Sequence, residues 1–349
     1  VGAARAAGAA GVGEPDLLGD AELDPRQREV AARLGYGASY AVPLTAAGDT
    51  ADTGTDTAAD PRTGAGGKLG AAVWLYDEPA EPVERQRHLV GLYARHASEH
   101  LARLLDLERA RTQITTLTEE LLPARLPRVP GVKLAVRHHT GPRGGGDWYD
   151  ALPLPEGALG LAVGSVGGSG PSAVAAMGRL RASLRAYAVM EGEDPVAVLS
   201  DLELLLRLTE PARTATALFA YTEPGRRTML LAGAGHAPPL IVGDRRTEFV
   251  ETTLSAPLGM LTCWEAPSVE LAAERGETVL LYTDGLLRRT GDPMDRASAR
   301  LHAAAAGVPK ALRDDPGAIA DHVLRTVLPE GRVDTGAADD IVLLAARFD

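Results

Sequence analysis

Gly144-Gly145-Gly146-Asp147-Trp148-Tyr149-Asp150 sets a run of glycine against two aromatics and two carboxylates. Glycine frees the backbone for a tight turn and aromatics favour an extended strand, so the first carboxylate falls where a turn meets a strand. Two further segments repeat that placement. Leu280-Leu281-Tyr282-Thr283-Asp284-Gly285 leaves an apolar strand directly into an Asp-Gly turn, and Asp339-Asp340 enters the apolar run Ile341-Val342-Leu343-Leu344. Loops at sheet ends are where sites are commonly built. Separated carboxylates converging on one point suit a hard divalent cation such as Mg²⁺ or Mn²⁺, which takes oxygen ligands. Each also has a structural reading, because Asp-Gly is a common turn and an acidic pair often caps a strand.

Outward from these points, strands are predicted over 133–138, 159–166, 215–221, 228–231, 240–242, 278–283 and 341–346, with Glu223-Pro224-Gly225 as a hairpin turn. Two helices lie among them. One covers 172–190 with Val174, Met177, Leu180 and Leu184 on one face. The other is capped by Asp194, starts at Pro195 and carries Val198, Leu199, Leu202, Leu205 and Leu206. Strands, then helices, then more strands predict an α+β fold. Upstream, 40–44 and 69–76 read as strands joined by a flexible loop over 45–67. After Pro82, Leu89, Leu92, Tyr93, His96, His100, Leu104 and Leu107 recur at helical spacing. Leu107, Ile114 and Leu121 continue at heptad spacing, with Ala110 and Leu117 between them, so this stripe is expected to find a partner, either a second copy in a homodimer or the domain surface. Pro123 ends the helix, and Pro127 and Pro130 stiffen the joint that follows.

The chain of 349 residues is 45% hydrophobic and 24% charged, with a net charge of −11. An acidic excess argues against nucleic acid and anionic membranes as partners. A single cysteine, Cys263, excludes a disulfide framework or a cysteine-built zinc site. No apolar run is long enough to cross a bilayer, and the Ala/Gly-rich start is too weakly hydrophobic for a signal peptide, so a cytoplasmic chain is expected.

The order of Gly-Gly-Asp-Trp-Tyr-Asp, Ala234-Gly235-His236-Ala237-Pro238-Pro239, Pro257-Leu258-Gly259, Tyr282-Thr283-Asp284-Gly285 and Asp339-Asp340 resembles the PPM-type protein phosphatases, in the stage II sporulation protein E-like branch. Leu121-Leu122-Pro123 with Pro127 resembles the entry segment of that domain. The resemblance spans about Glu120 to Phe348 and implies a four-layer α-β-β-α sandwich of two antiparallel sheets. It also implies two Mn²⁺ or Mg²⁺ ions that activate water against phosphoserine or phosphothreonine, without a phospho-enzyme. By motif match Asp147, Asp284 and Asp339 are metal ligands, while Asp340, Gly285 and the Gly144–Gly146 turn shape the site. His236 either approaches substrate or is structural, and Asp150 is a possible supporting carboxylate. The implied partner is a phosphorylated anti-sigma-factor antagonist.

One motif departs from the family. Where Gly-Asp-Val-x-Gly-His-Gly is usual, this chain has Gly164-Ser165-Val166-Gly167-Gly168-Ser169-Gly170, so Ser165 replaces the bridging carboxylate and Ser169 the histidine. Three carboxylates then face two divalent ions about 4 Å apart, and a hydroxyl screens none of their repulsion. The second metal site is expected to be weak. A catalytically impaired pseudophosphatase that binds a regulatory partner is the alternative function. Upstream, Gly35-Tyr36-Gly37-Ala38-Ser39-Tyr40-Ala41-Val42-Pro43-Leu44 and Leu69-Gly70-Ala71-Ala72-Val73, followed by a long helix, resemble the second half of a GAF sensory domain. The expected organisation is a disordered 1–20, a partial α/β GAF-like segment 21–106, a helical linker 107–126 and a phosphatase domain 127–349. His96 and His100, spaced as a helical metal pair but without a third ligand, are read as a packed or solvated face.

Overall fold

The computed structural model describes residues 11–20, 23–46, 67–142, 144–252, 255–261, 264–328 and 339–349. They divide into two units, Val1–Ala110 and Arg111–Asp349, with the boundary inside one long helix.

In the first unit β1 (Val12–Glu14), β2 (Ala38–Thr45) and β3 (Lys68–Tyr76) form an antiparallel sheet in that order. Helix α1 (Pro25–Leu34) is capped by Asp24, whose side chain accepts from Arg26 N at 2.8 Å, and Gly35 closes it at φ 78°. The expected disorder over 1–20 is corrected at Val12–Glu14. That strand pairs through its backbone along the free edge of β2, so it needs no apolar side chains of its own. Residues 1–10, and 47–66 of the predicted loop, lie outside the described residues.

Helix α2 (Glu84–Glu120) lays Val90 and Ala94 against Tyr40, Val42 and Trp74. Ser98 Oγ donates to Ala94 O at 2.7 Å and accepts from Thr45 N at 3.2 Å. The face singled out by periodicity is therefore the wrong one: Leu89, Leu92, Tyr93, Leu104 and Leu107 are exposed, as are His96 and His100. The sheet takes the small side chains Ala94 and Ser98, which let helix and strands approach closely.

The second unit begins with the last turns of α2. Ile114 and Leu121 pack against its core, and Thr118 is buried. Two five-stranded antiparallel sheets follow. One runs β11-β8-β7-β6-β5, built from β5 (Asp147–Pro153), β6 (Leu159–Val166), β7 (Ala215–Glu223), β8 (Thr228–Ala234) and β11 (Val269–Ala272). The other runs β10-β9-β12-β13-β4, built from β4 (Val132–His139), β9 (Leu240–Val242), β10 (Thr247–Phe249), β12 (Thr278–Tyr282) and β13 (Ile341–Phe348). Helices α3 (Pro171–Glu191) and α4 (Pro195–Thr209) cover the first sheet; α6 (Met294–Ala306) and α7 (Pro316–Val327) cover the second, and the short α5 (Gly285–Arg288) follows β12.

Strand periodicity assigns the layers. Val342, Leu344 and Ala346 of β13 enter the core that holds Trp148, Leu161, Met177 and Phe219. Ile341, Leu343 and Ala345 enter a second core with Leu301, Ile319 and Val323. A strand buried on both faces reads as a continuous apolar run, which is how IVLLAARF reads. Each fully buried large side chain contributes about 1.5–3 kcal/mol, so this strand ties both cores together. The result is the α-β-β-α sandwich expected from the motif order. As expected, Pro195 starts α4 and Asp194 caps it through Val196 N at 3.0 Å; α3 starts one residue before the predicted 172, at Pro171.

Candidate metal centre

The strand ends that carry the acidic motifs meet by pairing. Asp147 and Ser165 are Cα partners at the end of the β5–β6 ladder. Thr283 N donates to Val342 O at 3.1 Å, and Val342 N donates to Thr283 Oγ1 at 2.9 Å. That stitch holds the exit of β12 beside the entry to β13 and so brings Asp284 next to Asp339 and Asp340. A cleft of about 410 Å³ opens where both sheets end. Asp147, Ser165, Asp284, Gly285, Asp339 and Asp340 all line it.

Glycine is required at several points of this wall. A Cβ on Gly145 would lie 2.0 Å from Asp340 Oδ2, and one on Gly285 would lie 1.7 Å from Asp340 O. Asp340 fills that space: its Oδ1 accepts from Gly141 N at 2.6 Å and its Oδ2 from Asp147 N at 3.5 Å. It thus holds the glycine loop, and burial raises its pKa. Asp147 is 5% exposed. Burial first, and then the charge of Asp340, push its carboxyl up to about 7, while hydrogen bonds from Ser165 and Thr283 pull the other way.

Two candidate residues stand apart. Asp150 does not line the cleft; its side chain points to the opposite face, where Arg181 Nε lies at 3.0 Å and Arg185 Nη1 at 2.9 Å. It is the counter-ion of two arginines on α3, so it is not poised to replace a bridging carboxylate. His236 is also outside the cleft wall, with both ring nitrogens closed off from solvent, and burial pulls its pKa down to about 4. Beside it Gly235, at φ 58°, lies close against Pro257, and Leu258 bridges to Ala215.

Sequence reasoning missed three contributors. Arg213 donates to Gly167 O at 3.0 Å and to Ser172 Oγ at 2.6 Å, which pins the loop carrying Ser169. Arg289 Nε donates to Asp339 O. Arg288 lies 3.7 Å from Asp284 Oδ2 and 3.6 Å from Asp339 Oδ2. The i,i+4 spacing of Asp284 and Arg288 was the available signal for that pair.

Chemically the wall offers hard oxygen donors. Asp147 Oδ2 is buried without a hydrogen-bond partner, the condition of a group that takes a cation. Among the described residues no three His, Cys, Asp or Glu side chains are gathered closely enough to hold an ion as they stand. Asp147, Asp284, Asp339 and Asp340 supply carboxylate oxygens to one cleft, the donor type that hard divalent cations take.

Two packed antiparallel sheets, helices on both outer faces and an acidic cleft at the strand ends define a PPM-type phosphatase domain. The sequence profile of the stage II sporulation protein E (SpoIIE) family matches residues 155–349, and the chain belongs to that family. Phosphoserine phosphatase RsbP of Bacillus subtilis is 27% identical over 191 residues, or 53% of this chain and 46% of that protein. A crystal structure of the RsbU and RsbW domains of a Mycobacterium tuberculosis protein is 31% identical, with a TM-score of 0.58 over 66% of this chain and 63% of that one. The phosphatase domain of SpoIIE from Bacillus subtilis, with a fragment of its regulatory domain, shares the fold at 17% identity and a TM-score of 0.53, covering 64% of each chain. The chain thus spans about half the length of RsbP. Among the described residues, no helix is long and apolar enough to cross a membrane.

Proposed function

We propose that residues 127–349 act as a divalent-metal-dependent phosphoserine/phosphothreonine phosphatase domain in cytoplasmic bacterial signalling, with a phosphorylated anti-sigma-factor antagonist as substrate. The observation that carries this reading is the convergence of Asp147, Asp284 and Asp339 on one cleft wall at the strand ends. The RsbP and RsbU relatives support the signalling context. Asp147, Asp284 and Asp339 would hold Mn²⁺ or Mg²⁺. The bound ion supplies an activated water and neutralises phosphoryl charge. Asp340 keeps the glycine loop in place so that Asp147 faces the cleft, and Ser165 orients the Asp147 carboxyl by hydrogen bonding.

A second reading is favoured by Ser165: a pseudophosphatase that keeps the fold and binds a regulatory partner without turnover. Residues 21–106 would serve as a partial GAF-like sensory segment and 107–126 as a linker that pairs two copies through Leu107 and Leu117, both exposed. Phosphate release from a phosphoserine antagonist protein in Mn²⁺ separates the two readings. Turnover abolished by Asp147→Asn supports the enzyme. Binding of the phosphoprotein with no release in the unmodified chain supports the pseudophosphatase.

A further inference from the structure

We propose that Arg288 is an internal cation lodged between two carboxylates of the cleft, where it competes with a divalent metal ion and keeps metal affinity low. The inference rests on the metal-centre reading above. One guanidinium reaches Asp284 Oδ2 at 3.7 Å and Asp339 Oδ2 at 3.6 Å. Those carboxylates sit on the ends of adjacent strands, so a single side chain spans the joint between them. Arg288 is 61% exposed while Asp284 is 24% and Asp339 44% exposed. A long side chain with open solvent beside it rests against the cleft because charge draws it there. It also lines the cleft wall with both aspartates.

The charge balance gives the consequence. Guanidinium stays protonated at every relevant pH and matches carboxylate geometry. A Mg²⁺-sized ion needs its oxygen ligands at about 2.0–2.1 Å, inside the space the guanidinium faces. With all three ionised, as metal ligands must be, Asp147, Asp284 and Asp339 carry −3, and Arg288 reduces that to −2, which balances one divalent ion rather than two. Ser165 acts in the same direction, since it withholds a carboxylate where Arg288 adds a cation.

The test measures Mn²⁺ binding by titration calorimetry on the full chain and on Arg288→Met and Asp284→Asn. Arg288→Met should tighten Mn²⁺ at least tenfold, and Asp284→Asn should weaken it at least tenfold. Thermal melts give a second readout. In chelator Arg288→Met should melt below wild type, because Asp284 and Asp339 then repel without a counter-ion; in saturating Mn²⁺ it should melt above wild type. Loss of a purely structural ion pair would lower both. Arg288→Gln, which keeps hydrogen-bonding capacity, should follow Arg288→Met and serves if the methionine variant does not fold. Equal Mn²⁺ affinity in wild type and Arg288→Met, with Asp284→Asn impaired, overturns the role of Arg288 and leaves the metal centre standing. Binding indifferent to Asp284→Asn, or absent from Arg288→Met and Arg288→Gln alike, overturns the metal-centre reading and this inference with it.

Discussion

Ser165 stands across the ladder from Asp147, and both face the cleft. An aspartate at 165 would set two carboxylates side by side in a partly desolvated corner. In chelator the Ser165→Asp variant should therefore lose on the order of 1–2 kcal/mol of stability through like-charge repulsion. In Mn²⁺ the same pair becomes a better ligand set, and hydrolysis of p-nitrophenyl phosphate should rise at least tenfold over wild type. Wild type matching the variant in Mn²⁺ turnover would refute the reading of position 165 as a crippled ligand. A pH effect belongs to His138, which lies against Tyr149 with ring centroids 6.2 Å apart. Burial first, and then the neighbouring His139, lower its pKa from 6.5 to about 4. Above pH 6.5 the imidazole is neutral in both folded and unfolded chains. As pH falls from 6.5 toward 4 the unfolded chain takes up a proton that the fold refuses, so stability drops. The loss is no more than about 3 kcal/mol. Urea midpoints across that window should fall more steeply for wild type than for His138→Gln; parallel curves would remove His138 from the account. Asp147, Asp284 and Asp339 could be placed at strand ends from motif wording alone. The reach of Arg288 to Asp339, and the pairing of Asp150 with Arg181 and Arg185, depend on side chains that span elements distant in sequence.

Helix α2 shows what periodicity can and cannot give. Its existence and end before Pro123 were readable, but the buried face was not, because Leu89, Tyr93 and Leu107 mimic a core stripe while Ala94 and Ser98 do the packing. Its C-terminal turns meet the second unit: a Cβ on Gly144 would lie 2.3 Å from Ile114 Cγ2, and Leu121 packs over Gly178. Two residues of the heptad stripe, Ile114 and Leu121, are therefore already engaged by their own domain. A test of dimerisation must use positions other than Ile114. Ile114→Asp would strain the glycine loop of the cleft as well as any dimer, whereas Leu104→Asp with Leu107→Asp alters only exposed positions. By sedimentation, that double variant should be monomeric at micromolar concentration if wild type dimerises through the stripe. A wild type that is monomeric there ends the proposal. Helices α6 and α7 and the short strands β10 and β11 went unread. Alanine is the commonest residue of α6 (MDRASARLHAAAA), and small residues give a faint apolar pattern. Three- and four-residue strands offer too few alternations to register at all.

The molecule divides at Arg111, and the second unit holds both large cores and the whole cleft. A chain begun at Arg111 should fold alone and unfold in one cooperative transition within a few degrees of the corresponding transition in the full chain. Failure to fold would show that the unit depends on residues before it. The sandwich itself was legible because the motif order carries long-range information that local propensity lacks; the three-stranded sheet was only partly so, since β1 is held by backbone pairing alone. One feature of the sandwich reaches beyond the finished protein. Among the described residues β4 is an edge strand with β13 as its one sheet neighbour, and the two are separated by almost the entire unit in sequence. During synthesis at roughly 5–20 residues per second, β4 would wait about 10–40 s for that neighbour to be made. Over that interval its hydrogen-bonding edge is open to other chains. A ribosome stalled before codon 341 would release a chain lacking the strand common to both cores, a natural client for chaperones and proteases.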